Sequence, residues 1–550
     1  MERIFSARLA PLAFSLSALF LAGCNEDTAP KTDTAQPAAL ASMVIPVCVN
    51  DECLVLDQNG TMLVNGDNTY AVTLSIPLTN TFIFAEDGQW NLANANGSQI
   101  IKPNFTDGLR LLTPGYFGFE RDGKFGVMDQ QGNEVQAPAY DEIYSGGDLP
   151  PGMGQYIVYG IDEKFGLLSA DGHVVTEPLF DSLTTDKDIA LAGGWILAER
   201  DAQNWVINLQ TGETKQVGFD KFVEYANDHF VVSLGSKKGL ADASNKLLTD
   251  LKYYWMGVPG NGLVAFKENY DSPCGYLDFQ GKVAIAPAYA ECEVFGQKGA
   301  MVKPMTADGD RGKFSFIART GQALTEPTFD WAGPAVHAPM GMFKNAPGYT
   351  QTGTLQNMFV AYYGIFDTDK GIELLKPEYV QVGVLTPDLF VFAKPDSPTK
   401  TVTFLGSANQ QPTLGVMNAS GKVLIEPGQY LNITLDKSGR FIRAMTESTR
   451  QTNTALYDLK GKLLVPAQWQ EVVIDEARGA LFAYALEGTP NDETRSLRAL
   501  YSLNGTPSFQ TRTVGCDVQQ VIDGSGKVVW PTDPENFCGE PEDDEAADAQ

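Results

Sequence analysis

Residues 122–143, DGKFGVMDQQGNEVQAPAYDEI, are followed forty positions later by DEKFGLLSADGHVVTEPLFDSL at 162–183, with the same landmarks in the same places. A chain that writes one phrase repeatedly is confined to architectures built from one repeated supersecondary unit. The phrase recurs. A Gly is followed six residues later by Pro at Gly97/Pro103, Gly132/Pro138, Gly172/Pro178, Gly281/Pro287, Gly321/Pro327, Gly371/Pro377 and Gly421/Pro427. The spacing is one shorter at Gly461/Pro466 and Gly526/Pro531. INLQTGETKQVGFDKF and LADASNKLLTDLKYY fill two degenerate units between Pro178 and Pro287. LVLDQNGTMLVNG from Leu54 is read as the first unit, and LYSLNGTPSFQTR from Leu500 as a late one. The result is roughly eleven to twelve units with a period of about 35–50 residues.

Each unit has a physical grammar. An Asp, Asn or Ser three residues before the Gly, as in DQQG at 129 and DLKG at 458, suits a type I turn closed by a left-handed Gly. The flanking runs FGVM, VVTEP, VAIAP and VLIEP are short and β-branched-rich, which predicts strands. Pro ends the second strand because it cannot donate to a ladder. An aromatic residue then follows at Tyr140, Phe180, Tyr289, Phe329 and Tyr379, placed as an inward anchor between neighbouring units. Asp141, Asp181 and Asp330 come directly after. Three carboxylates in matching positions suggest a catalytic or metal ladder, but a turn-capping Asp repeated with its fold explains them more simply. The fold class expected is all-β: a tandem array of hairpin or blade units, closed as two propellers in tandem or left as an open superhelical array. The Gly-, Thr- and Asn-rich stretch MGMFKNAPGYTQTGTLQ places a soft boundary near residue 345, giving repeat halves 43–345 and 346–538.

This pattern resembles the bacterial WG repeat family over roughly residues 80–530, best at Phe125-Gly126 and Phe165-Gly166 and at GKV from Gly281 and Gly421. Trp is mostly replaced by Phe, and Trp90-Asn91, Trp205-Val206 and Phe314-Ser315 lack the Gly. The resemblance implies β-hairpin units and no fixed activity.

The chain ends point to location. Arg3 and Arg8 precede an uncharged apolar run too short for a membrane span, as in a secretory signal peptide over 1–23. Leu21-Ala22-Gly23-Cys24 resembles the lipobox of bacterial lipoproteins, which implies lipidation of Cys24 and a membrane contact through acyl chains. Asn25 after it, by resemblance to Gram-negative lipoproteins, favours the outer membrane, with its face left open. Residues 24–42 read as a flexible tether and 539–550 as an acidic disordered tail.

Six further cysteines fall into three close pairs, Cys48 with Cys53, Cys274 with Cys292, and Cys516 with Cys538. In an exported chain an even count argues for disulfides, and local pairing is the simplest of the possible connectivities. The spacings match no zinc pattern. A formal net charge of −28 should repel nucleic acid, so no nucleic-acid partner is expected.

The search for chemistry yields little. The three histidines, His173, His229 and His337, form no catalytic motif, and no nucleophile elbow or phosphate-cradling loop is present. DTDKGIE at Asp367 and DGDRG at Asp308 suggest calcium loops, but each lacks a full ligand set and the first occupies a hairpin slot. No catalytic residue, metal site or cofactor is assigned. The function expected is a lipid-anchored envelope module that binds or scaffolds a protein or wall polymer. The rival is an envelope glycan hydrolase using a carboxylate pair.

Overall fold

The computed structural model describes residues 40–538 apart from 51, 66–71, 74–76, 87–88, 99, 102–106, 149–154, 185–192, 306–311, 336–347, 358–359, 405–406, 448–451 and 490–491. The signal segment, Cys24, most of the tether, the acidic tail, His337 and the Asp308 loop lie outside the described residues, as does the chain around the boundary expected near 345.

The fold is all-β, a propeller of small antiparallel sheets. One repeat makes one blade. Asp107–Thr113, Tyr116–Arg121, Lys124–Asp129 and Glu134–Tyr140 form a four-stranded meander, and Glu142–Asp148, Gln155–Ile161, Lys164–Ser169 and Val174–Phe180 form the next. The middle strands are buried in continuous runs, as in Tyr156–Gly160 and Leu389–Ala393, because a neighbouring blade covers each face. The fourth strand alternates between half-buried and exposed positions, so its sequence is more polar.

The repeated signals now have causes. Asp129 Oδ1 accepts from the amides of Gln131 and Asn133, both at 2.9 Å, and Gly132 closes the turn at φ +81°. The same double acceptance occurs at Asp57, Asp242, Asp278, Asn418, Asp458 and Asp523. It is the predicted hairpin turn. The Pro does not end the second strand, as its missing donor suggested, but sits within it at a bulge. Phe125 pairs with Tyr140 but Val127 with Gln136, so Pro138 and its neighbours loop out of register. That bulge requires the Gly of Phe-Gly: a Cβ on Gly126 would lie 2.6 Å from the Gln136 carbonyl and 2.8 Å from the Phe119 ring. The aromatic after the Pro is an anchor. Tyr140, Phe180 and Phe329 are buried, while Tyr289 and Tyr379 are half-buried.

Between successive blades lie twelve apolar clusters among the described residues. Packing runs on across the expected midpoint, where Phe316 and Phe329 meet Phe366. The described residues belong to one compact unit. The last cluster joins the chain ends, with Ile45, Val47, Leu54 and Leu56 of the first blade against Phe482, Leu497, Leu500 and Phe509 of the last.

The geometry of this junction repeats one seen between blades elsewhere in the chain. The turn of one blade sits on the preceding blade's fourth strand at several junctions: a Cβ on Gly212 would meet the Val175 carbonyl at 2.4 Å, and one on Gly60 would meet the Ser508 carbonyl at 2.5 Å. Closure is therefore a single ring, in which the blade at 44–64 occupies the place after the blade at 471–513. Asn50 fastens it, donating to the Gln519 carbonyl at 2.9 Å and accepting from its amide at 2.8 Å. Arg498 donates to the Cys48 carbonyl at 3.0 Å.

Three disulfides form as the local-pairing expectation has them: Cys48–Cys53, Cys274–Cys292 and Cys516–Cys538. The first joins directly opposed residues of the opening hairpin. The degenerate unit near 247 is a real irregularity, a three-stranded sheet whose fourth strand is reduced to bridges at Lys238–Tyr253 and Ala241–Leu247.

Candidate functional site

The spacing of Asp141, Asp181 and Asp330 raises the question of a catalytic ladder. Each belongs to a different blade junction and does the same mechanical work. Asp141 Oδ2 accepts from the Asp162 amide at 3.0 Å, and Asp181 Oδ2 from the Asp201 amide at 2.8 Å. Asp330 Oδ2 accepts from the Leu355 amide at 2.9 Å. The other carboxylate oxygen faces a lysine of the preceding blade: Lys124 for Asp141, Lys164 for Asp181, and Lys313 at 3.4 Å for Asp330. The lysine and the amide hold the Asp141 and Asp181 carboxyls below the usual range. Asp220 is a fourth member that the sequence pattern missed, accepting from the Gly235 amide at 3.0 Å. Its unit is degenerate, so the Pro-aromatic-Asp signal was not there to find it. The turn-capping reading is the one the geometry bears out.

The Asp367 turn is likewise occupied. Its Oδ1 accepts from the amides of Asp369 and Lys370, both at 3.0 Å, and Lys370 Nζ lies 3.1 Å from Oδ2. Asp369 in turn accepts from the Gln297 amide of the neighbouring blade at 2.7 Å. Among the described residues no cluster of three or more His, Cys, Asp or Glu is placed to hold a metal. His173 is exposed in its turn beside Asp171 at 3.3 Å. His229 packs on Phe279, with Nδ1 2.6 Å from the Asn227 carbonyl.

Two features stand apart from the repeat. Glu291 and Glu293 flank Cys292, and no other unit has this pair. Burial, aided by the negative charge of Glu291, pushes the Glu293 carboxyl up to about 7. Glu291 itself has Lys303 Nζ at 3.6 Å. The Glu293 carboxyl is thereby poised to exchange a proton near neutrality, with a second carboxylate two residues away. Sequence reasoning could see the two acids but not the burial that separates their behaviour. The second feature is an open cleft of about 430 Å³ at the ring closure, lined by Leu40, Asn59, Ser508 and the Asp523–Ser525 turn among others. Its polar groups are largely committed: Ser508 Oγ donates to the Gln58 carbonyl, and Asp523 accepts from Ser525 and Lys527.

Comparison with known proteins is sparse. Residues 125–145 match the family described as WG containing repeat, one blade boundary of the ring. No curated protein matches the chain. Among solved structures, it is similar to a eukaryotic initiation factor at 12% identity and TM-score 0.31, covering 82% of this chain and 97% of that one. The dihydro-heme d1 dehydrogenase NirN is similar at 11% identity and TM-score 0.24, over 87% and 78%. TolB from Acinetobacter baumannii is similar at 8% identity and TM-score 0.22, over 51% and 77%. At such TM-scores these likenesses carry no functional argument. A short stretch of the chain is similar to WG repeats, and the chain folds as a propeller of hairpin-built blades.

Proposed function

We propose that this protein is an exported, lipid-anchored module of the cell envelope that binds or scaffolds an envelope protein or polysaccharide. The observation that carries the binding role is the use of the repeated carboxylates. They are consumed in joining blades, which leaves an array of turns as a recognition surface without a repeated reactive centre. The lipobox-like Leu21–Cys24 and the three local disulfides support export to an oxidising compartment. In this reading Cys24 carries the lipid, and the outer membrane is the site of anchoring. In-place crosslinking and affinity capture from the native envelope tests it, with Cys24→Ala as the unanchored control. A stoichiometric partner that depends on Cys24 is expected. Labelled palmitate entering both forms, or capture of nothing reproducible, would overturn the reading.

Glu293 favours a second reading, a glycan hydrolase in which Glu293 donates the proton and Glu291 is the second carboxyl of the pair. Glycan release from envelope preparations that vanishes in Glu293→Gln is its signature.

A further inference from the structure

The lysine–aspartate latch that joins blades is present at Lys124/Asp141, Lys164/Asp181 and Lys313/Asp330. Aligning SKKGLAD at 236–242 on GKFGVMD at 123–129 puts Lys237 in the place of Lys124, and the position opposite is occupied by Tyr254. The backbone keeps the register. Tyr254 donates its amide to the Lys267 carbonyl as Asp141 does to Gly160. Lys238 Nζ reaches the Tyr254 carbonyl at 3.2 Å. Lys237 is therefore a latch lysine without its carboxylate, exposed and with no ion-pair partner among the described residues.

Tyr254 does not turn inward in compensation. It is 41% exposed and meets the 73% exposed Tyr270 edge to face at 5.6 Å. Tyr270 stands on the next blade's turn, which is held rigid. Ser272 Oγ accepts from the Asn269 amide and donates to the Asn269 carbonyl, both at 2.9 Å, and Cys274 just beyond is fixed by its disulfide. The same turn carries Glu268 and Asp271, both exposed and without an ion pair among the described residues.

We propose that Tyr254 and Tyr270, framed by Lys237, Glu268 and Asp271, form a stacking platform for the hexose rings of an envelope polysaccharide. This rests on the binding role proposed above and names its ligand class. The two exposed rings stand edge to face, so each keeps an outer face open to solvent, electron-rich and suited to the polarised C–H bonds of a sugar ring. The surrounding groups supply both senses of hydrogen bond, carboxylates accepting from hydroxyls and an ammonium donating to ring or carboxylate oxygens. The platform is pre-organised by the Asn269–Ser272 bonds and the disulfide, which lowers the ordering cost of binding. Paired signs of charge favour a neutral or sparsely charged polymer over a dense polyanion.

Native affinity electrophoresis of the full chain tests this, in gels cast with a neutral β-glucan, a hexuronate polymer or soluble wall glycan strands. Retardation is expected in at least one gel, weakened about tenfold in Tyr270→Ala, as loss of one stacking contact implies. Tyr254→Asp is the second variant. It rebuilds the latch with Lys237 found at other junctions, so it should fold and melt no lower than wild type while losing the retardation. Migration unaffected by all three polymers, or retardation unchanged in both variants, would overturn the platform. A captured protein partner that binds both variants equally would then leave the broader binding role standing.

Discussion

At the scale of single residues, chemically similar carboxylates play opposite parts according to what surrounds them. Asp181 is exposed, bonded to an amide and faced by Lys164, so its carboxyl titrates below the usual range. A lowered value in the folded state adds stability above the unfolded value and loses it as pH falls. Asp181→Asn should therefore lower the melting temperature slightly at pH 7 and by less in acid, read by thermal scans at both. Glu293 has the reverse sign. Its folded value of about 7 lies above the unfolded one, so the folded state is penalised increasingly as pH rises from near 4.5 to 7, and fully above that. Glu293→Gln should stabilise at pH 8 by on the order of 1–3 kcal/mol and change little at pH 4, measured by urea unfolding. A Glu293→Gln protein no more stable than wild type at pH 8 would mean the carboxyl is solvated.

At the scale of elements, the hairpin rules were written in the sequence because they are local. An Asp two and four residues before the amides it accepts, a Gly at positive φ and a Pro at a bulge all act within about ten residues. DQQG and DLKG accordingly form the turns they spell. The Phe-Gly pair was legible as a signature, but its cause is the pressure of the opposing bulge on Gly126. Substitution should separate the two effects. Gly126→Ala forces a Cβ against the Gln136 carbonyl and should cost about 1–3 kcal/mol. Gly123→Ala meets nothing within 4 Å and bears only its φ of +75°, a cost of about 1–2 kcal/mol. Denaturant midpoints lower for Gly126→Ala than for Gly123→Ala are expected; the opposite order would discount the bulge.

The candidate site was much less legible. Tyr254 reads as one more core aromatic until its equivalence to Asp141 and its contact with Tyr270 are known. The acidity of Glu293 depends on burial that no local pattern encodes.

At the scale of the whole molecule, closure was the one architectural feature the repeat could not announce. A periodic sequence is equally compatible with an open array, tandem rings or one ring, because every unit specifies only its contact with the next. The choice is made by residues far apart in sequence. Asn50 meets Gln519 across 469 positions, and Ser508 meets Gln58 across 450, alongside the apolar seam of Ile45, Val47, Phe482 and Phe509. The Cys48–Cys53 and Cys516–Cys538 disulfides brace the segments that carry Asn50 and Gln519, so neither partner leaves the seam without local unfolding. A binding surface spread over several blades depends on that seam to hold the blades in fixed register. The most direct test is hydrogen exchange of the Gln519 amide in the native protein and in Asn50→Ala. Protection of Gln519 in wild type, lost in the variant while amides of the Lys164–Ser169 strand stay protected, is the result predicted by a closed ring. A Gln519 amide that exchanges freely in wild type would contradict it.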